Sequence, residues 1–331
     1  MEDRHGKILT WFRPEMIPGD VDPGMMASPS PLKPGKLMAY LKEAGLTPFF
    51  QVVEDWNPLG REDLLLAHSA EYVDAFLDGK QPLCGSNWFP WTPGLADSVR
   101  YTNASLYQAI RYSLEHPETV ALSPTSGFHH ATPGRGDAYC TFSGQVIAAL
   151  KLYREKGVSG AFLDLDAHLG NSIDHSRAFA PDLSLAVPIW ANINPAGEGQ
   201  GYLDDLQKKL QMLKGQVLQK KIHYVVFCHG ADSHENDPYG GQLSTEQWLE
   251  SSRMVYGWVK EMDAARGAPL PLSLSLFGGY QHMDFVLALH ASDLVICLET
   301  LCGVQTGFQP EERIPQRIEP NWYGKGQWSA E

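Results

Sequence analysis

Four short stretches of this sequence gather residue types suited to hydrolytic chemistry. The first is DLDAH, which spaces Asp164, Asp166 and His168 two residues apart. In extended backbone, residues two apart share a face. All three can then line one side while Leu165 and Ala167 turn to the core. Two carboxylates on one face repel unless a cation separates them. Asp232, in HGADSHENDPYGG, joins Asp166 and His168 to give two aspartates and one histidine. Three protein ligands with a fourth position open to water describe a catalytic zinc site, one ion per chain, rather than a closed structural one. The adjacent His129 and His130, in SPTSGFHHATPGRG, are suited to take a proton from water and return one to a leaving amine. Tyr280 follows Gly278 and Gly279. The glycines let backbone come close to a ligand, and a phenol there can stabilise a tetrahedral oxyanion. Singly these signals are weak. Polar strand ends that cap helices explain an isolated DxDxH about as well, and an aromatic packed over a turn explains GGY better.

Their force comes from the elements that carry them. Short β-like runs alternate with helical stretches along the chain. Strands are expected at Ile8–Phe12, Thr119–Leu122, Ala161–Leu165, His223–Cys228, Leu272–Phe277 and Leu294–Leu298. Helices are expected at Lys36–Ala44, after the cap Ser69, and at Asp97–Glu115, Phe142–Lys156, Asp204–Lys220 and His282–His290. Another follows Ser244, which with Gln247 fits a capping box, and runs to Arg266 before Gly267. Pro14 to Pro34, with six prolines, reads as a long loop. This alternation predicts an α/β fold, a single domain over 1–331 with a mostly parallel sheet flanked by helices on both faces. The tail after about residue 303 is polar and irregular. The four chemical stretches each follow a strand or end one. In an open parallel sheet, ligand sites form at the carboxyl ends of strands, so all four share one edge.

Composition narrows the function. The 331 residues carry 39 acids against 26 bases, a net charge of −13, which argues against a nucleic-acid partner. No apolar run reaches the roughly 18 residues that span a bilayer, so no membrane partner is expected. Five cysteines, an odd number without metal-finger spacing, fit a reduced cytoplasmic setting. The charged start MEDRHGK has no apolar stretch behind it, so no secretion signal is expected.

Taken together, GFHHATPG, FLDLDAHLGN, GADSHENDPYGG and FGGYQ resemble the zinc-dependent histone deacetylase family, bacterial-type amidohydrolases included, in the family's order. LLLAHSAEYVDAFLDG resembles its early helices. The resemblance spans roughly residues 8 to 300 and implies the arginase/deacetylase fold. It implies zinc on Asp166, His168 and Asp232, His129 held by Asp164, His130 held by Asn171, and Tyr280 polarising the acyl carbonyl. The implied reaction is hydrolysis of an N-acyl amide, releasing acetate and a free amine from an acylated lysine peptide or a small N-acyl amine. A homo-oligomer is compatible with it. It also implies a monovalent cation, K+, to which Asp164 could contribute.

The sequence departs from that family in several places. Leu169 follows the ligand histidine, and Gly170-Asn171-Ser172 replaces the usual GDG or GNG. The histidine expected after the next strand is missing from SLAVPIW. One tunnel wall falls on Tyr139 in place of phenylalanine, and the opposite wall falls on Asn194 within Ile193–Gly199. The loop GSNWFPWTPG, with Trp88, Phe89 and Trp91, is a candidate rim. His234, two residues past Asp232, is a candidate substrate contact, as is Gly278. The rival within the fold is a dimanganese ureohydrolase, which needs further carboxylates where this chain has Gly170 and His234. A non-catalytic module that binds acylated ligands is the rival of another class.

Overall fold

The computed structural model describes residues 3–26 and 28–314. Among these, seven strands form one sheet: β1 Ile8–Trp11, β2 Phe50–Val53, β3 Val120–Ser123, β4 Gly160–Asp164, β5 Asn192–Ile193, β6 Tyr224–Gly230 and β7 Leu272–Phe277. Their order is β2-β1-β3-β7-β6-β4-β5, and every neighbouring pair is parallel. Every residue of β3, β4, β6 and β7 is buried. Strands without an exposed alternate face are covered on both sides, as parallel sheets in α/β proteins are. The cover comes from α1 Lys33–Glu43, α2 Ala70–Leu77, α3 Pro93–Glu115, α4 Gly144–Lys156, α5 Gly199–Leu218, α6 Thr245–Arg266 and α7 Met283–Leu301. Helix α3 packs on α4, α6 lies against both α5 and α7, and α1 packs on α7.

Local chemistry sets several of these boundaries. Ser69 Oγ accepts from Tyr72 N at the start of α2. Ser244 and Gln247 exchange hydrogen bonds at the start of α6, the reciprocal box that the spacing predicts. Gly157 and Gly267 end α4 and α6 in the left-handed conformation.

Two expectations are corrected. Leu294–Leu298 is not a strand. It continues α7, in which every residue from Phe285 to Leu298 is buried. A helix enclosed by neighbours is apolar all round, and a short aliphatic run cannot report which period it follows. The strand sought near SLAVPIW is instead the two-residue β5, preceded by a helical turn at Leu183–Ala186. It lies at one edge of the sheet, and β2, also missed, lies at the other. The Pro14–Pro34 stretch is built of 3-10 turns, and α1 already begins at Lys33. Beyond residue 303, Phe308 and Ile314 are buried in the main core and Pro310–Arg313 forms a helical turn; residues 315–331 of the expected irregular tail lie outside the described residues.

Candidate metal centre and its cavity

The strands that precede the chemical loops, β3, β7, β6 and β4, are consecutive in the sheet. In register, Asp164 stands beside Cys228, Gly230 beside Phe277, and Ser123 beside Ser275. The four loops therefore leave from one edge, as the sequence predicts.

Strand β4 ends on Asp164, and the chain turns out through Asp166 to His168. Asp166 Oδ1 accepts from His168 N at 2.9 Å and lies 3.1 Å from His168 Nδ1. After β6, a 3-10 turn at Ala231–Ser233 carries Asp232. Asp232 Oδ2 lies 3.0 Å from the same His168 Nδ1, and Oδ1 accepts from Ala167 N at 3.2 Å. One ligand atom each from Asp166, His168 and Asp232 lies within 4.8 Å of the others. Hydrogen bonds from His168 to Asp166 and then Asp232 hold this imidazole up at about 10. Burial opposes the charge of Asp166, yet the His129 and His168 rings keep it below the usual carboxylate range. Burial and the charge of Asp166 push Asp232 up. Two carboxylates and an imidazole nitrogen converging on one point are a donor set for a divalent cation, whose charge would offset the repulsion between the carboxylates.

The histidine pair lies alongside. His129 Nδ1 is 3.0 Å from Asp164 Oδ2, and its Nε2 is 3.8 Å from Asp166 Oδ2. Burial disfavours its charge, but Asp166 and then Asp164 outweigh that and hold it up at about 9. The His130 ring sits 4.1 Å from His129, centroid to centroid. Burial and the charge of His129 push His130 down to about 4. Asn171 faces His130, as expected, but loosely. Its buried Oδ1 has no partner at ordinary hydrogen-bond geometry, although it still favours the protonated ring. Ser172 N donates to His129 O at 2.8 Å, tying the pair's loop to the segment after β4. His68 does the same from the other side. Ser143 N donates to its Nε2, so Nδ1 carries the proton and donates to Thr132 O at 2.9 Å.

Tyr280 follows Gly278 and Gly279, both at positive φ (44° and 98°). A Cβ on Gly278 would lie 2.6 Å from Asp232 Oδ2 and closer still to Oδ1. The glycine is what lets β7's loop pass against the carboxylate. Burial, then Asp166 and Asp232, push the Tyr280 hydroxyl well above its usual range, so it is a donor near neutral pH. Beneath the loop, the buried Lys33 donates from Nζ to the carbonyls of Phe277 and Gly278. Burial pulls it down to about 8, against the pull of Asp232 and Asp166.

His130, His168 and Tyr280 line an open cavity of about 250 Å³, walled further by Trp88, Ala138, Tyr139 and Tyr239. Trp88 is 45 % exposed and Tyr239 56 %. The rings meet in a chain: Trp88 edge to face with Tyr139 at 5.4 Å, Tyr139 tilted against Tyr280 at 5.8 Å, and Tyr280 edge to face with Tyr239 at 5.2 Å. Trp88, Ala138 and Tyr139 all have positive φ (66°, 40° and 65°). Non-glycine residues reach that region at a cost, and such strain concentrates at functional sites.

Several expected wall residues lie elsewhere. Asn194 does not line this cavity: its Oδ1 accepts from Gly170 N at 2.8 Å, because β5 ends beside the Gly170 turn. The opposite wall is Tyr239. Trp91 points away, its Nε1 donating to Phe76 O and its ring covering Gly79. Phe89 is buried behind Tyr139, at 5.4 Å. Both ring nitrogens of His234 are engaged, with Thr245 Oγ1 and Asn236 N, so it is not a substrate contact. Lys33 and Tyr239 were not foreseen. A lysine opening a helix carries no sequence signal of burial, and Tyr239 lies within DPYGG, where composition says only turn.

Residues 30–186 match the histone deacetylase domain family. The match covers 157 of the 331 residues, just under half of the chain. The chain is similar to a probable histone deacetylase 19 of Zea mays, with 24 % identity over 89 % of this chain and 60 % of the relative. A probable deacetylase of Methanothermobacter thermautotrophicus is 24 % identical over 67 % of this chain and 72 % of its own. Histone deacetylase B of Dictyostelium discoideum is 27 % identical over 46 % of this chain and 38 % of its own. The chain thus spans about 60 % of the maize relative's length and less of the Dictyostelium one. The crystal structure of the HDA15 HD domain shares the fold, with a TM-score of 0.66 at 15 % identity over 90 % of both chains. The matched span holds the histidine pair, Asp164, Asp166 and His168. Asp232 and Tyr280 lie beyond it, brought alongside by the sheet.

Proposed function

We propose that the chain is a zinc-dependent deacetylase that hydrolyses an N-acetyl amide of lysine or of a small amine. The observation that carries this is three convergent ligand atoms within 4.8 Å, one of them on His168, which lines a cavity together with His130 and Tyr280. Asp166, His168 and Asp232 would hold one Zn²⁺, which when bound supplies a Lewis acid and lowers the pKa of water. His129, oriented by Asp164, and His130 are placed to take the proton of the attacking water and to return one to the departing amine. The Tyr280 hydroxyl donates to the oxyanion of the tetrahedral centre. Tyr139, Tyr239 and Trp88 flank the alkyl stem of the substrate and exclude water from the amide. A monovalent cation near Asp164 belongs to the same reading.

One donor group is found among the described residues, and the positions where a second metal would need further carboxylates hold Gly170 and His234, the latter turned to Thr245, which favours one metal. The test is turnover of a fluorogenic acetyl-lysine substrate, before and after chelation and with Zn²⁺ restored. Activity lost on chelation and regained with one Zn²⁺ per chain is expected. Turnover indifferent to chelation removes the metal mechanism, two Mn²⁺ per chain favours the ureohydrolase, and zinc binding without turnover leaves the binding module.

A further inference from the structure

The loop that presents Tyr280 has little stiffness of its own. It leaves β7 through two glycines at positive φ, where backbone is least constrained. The wall residue Tyr239 is similarly placed, between Pro238 and the pair Gly240–Gly241. One side chain holds both. Asp237 is 7 % exposed. Its Oδ2 accepts from Tyr280 N at 2.7 Å, and its Oδ1 accepts from Tyr239 N at 3.0 Å. Gln281 Nε2 donating to Asn236 O adds a second stitch between the same loops. The Tyr280 and Tyr239 rings then meet edge to face at 5.2 Å.

We propose that Asp237 is a positioning residue: its carboxylate pins the backbone of Tyr280 and of Tyr239, and so fixes the oxyanion donor relative to the substrate wall. The inference rests on the deacetylase reading for its kinetic consequence, but not for its structural one. A carboxylate can accept from two N–H groups, whereas an amide has one accepting oxygen. Asp237→Asn must therefore release one bond. Serine at this position keeps the short turn bond to the N–H two residues on but cannot reach Tyr280 N.

The experiment measures kcat, KM, zinc content and amide hydrogen exchange in the wild type, Asp237→Asn and Asp237→Ser, and kcat for each in the Tyr280→Phe background. Misplacing one oxyanion donor is expected to lower kcat by about 10- to 100-fold. In the serine variant KM should stay within about threefold, because Tyr239 remains held. Exchange in 278–281 should rise with zinc content unchanged. In the Tyr280→Phe background, removing Asp237 should change kcat by less than about twofold. An equal loss in both backgrounds means a general structural role and overturns the proposal. Unchanged exchange at Tyr280 overturns it too, whatever the activity. Should the asparagine variant not fold, the serine variant is measured in the same way, and the same outcomes support or overturn the proposal. A wild type inactive on acyl amines would refute the deacetylase reading, while the exchange data would still decide whether Asp237 pins the loop.

Discussion

Gly278→Ala probes the contact between β7's loop and the candidate metal ligand. The added methyl would stand 2.6 Å from Asp232 Oδ2 and nearer still to Oδ1 and Cγ. Carbon and oxygen do not approach much below about 3 Å, so the carboxylate must retreat by several tenths of an ångström at least. Asp232 cannot do so freely. It is fully buried, its Oδ1 is bonded to Ala167 N and its Oδ2 lies 3.0 Å from His168 Nδ1. The substitution also places alanine at φ 44°, which costs about 1–2 kcal/mol by itself. A control separates the two effects. Gly45 has φ 73° with nothing within 4 Å of an added Cβ, so Gly45→Ala carries the backbone cost alone. Displacing one ligand should weaken Zn²⁺ binding by about 10- to 100-fold, or roughly 1.4–2.8 kcal/mol. Gly45→Ala should leave it unchanged. Calorimetric zinc titration, with melting curves for apoprotein and zinc-loaded protein, reads both terms. Wild-type zinc affinity in Gly278→Ala, with a melting temperature no lower than that of Gly45→Ala, would falsify the argument that this glycine makes room for the ligand.

Two further outcomes concern stability and specificity. Burial holds His68 at about 4, below its ordinary 6.5, while its neutral form is bonded to Ser143 N and Thr132 O. The unfolded chain therefore binds the proton more tightly. The contribution is complete above about pH 6.5 and is lost as pH falls toward 4, by about 3 kcal/mol in all. Urea melts from pH 7 to 4 should show that decline, and His68→Gln should make it shallower by about that amount, leaving the share of the other buried neutral imidazoles, His130 and His234. An equally steep decline in the variant assigns the acid sensitivity elsewhere. Trp88→Ala removes one aromatic wall at the cavity mouth, 45 % exposed in the free protein. KM for an acetyl-lysine substrate should rise by about tenfold with kcat little changed, the pattern of lost uniform binding. A fall in kcat at constant KM would show that Trp88 acts on the chemistry instead.

The features legible in the amino-acid order are local ones. Ser69, the Ser244–Gln247 box and the left-handed Gly157 and Gly267 mark helix ends because capping involves neighbours a few residues apart. The DLDAH spacing points to its ligands for the same reason: the chain's own repeat brings Asp166 and His168 within 3.1 Å of each other. Long-range packing set everything that depends on which distant segment arrives. The aliphatic run Leu294–Leu298 became helix because α1, α6 and the core surround it. The cavity wall fell to Tyr239 rather than Asn194 because the short edge strand β5 ends against Gly170, while Asp237 holds the 234–241 segment to the loop of β7. Lys33 became a buried cation only because α1 starts beneath Gly278. Backbone periodicity and capping act over a few residues, whereas burial, wall placement and the charge around a ligand are summed over segments far apart in the chain.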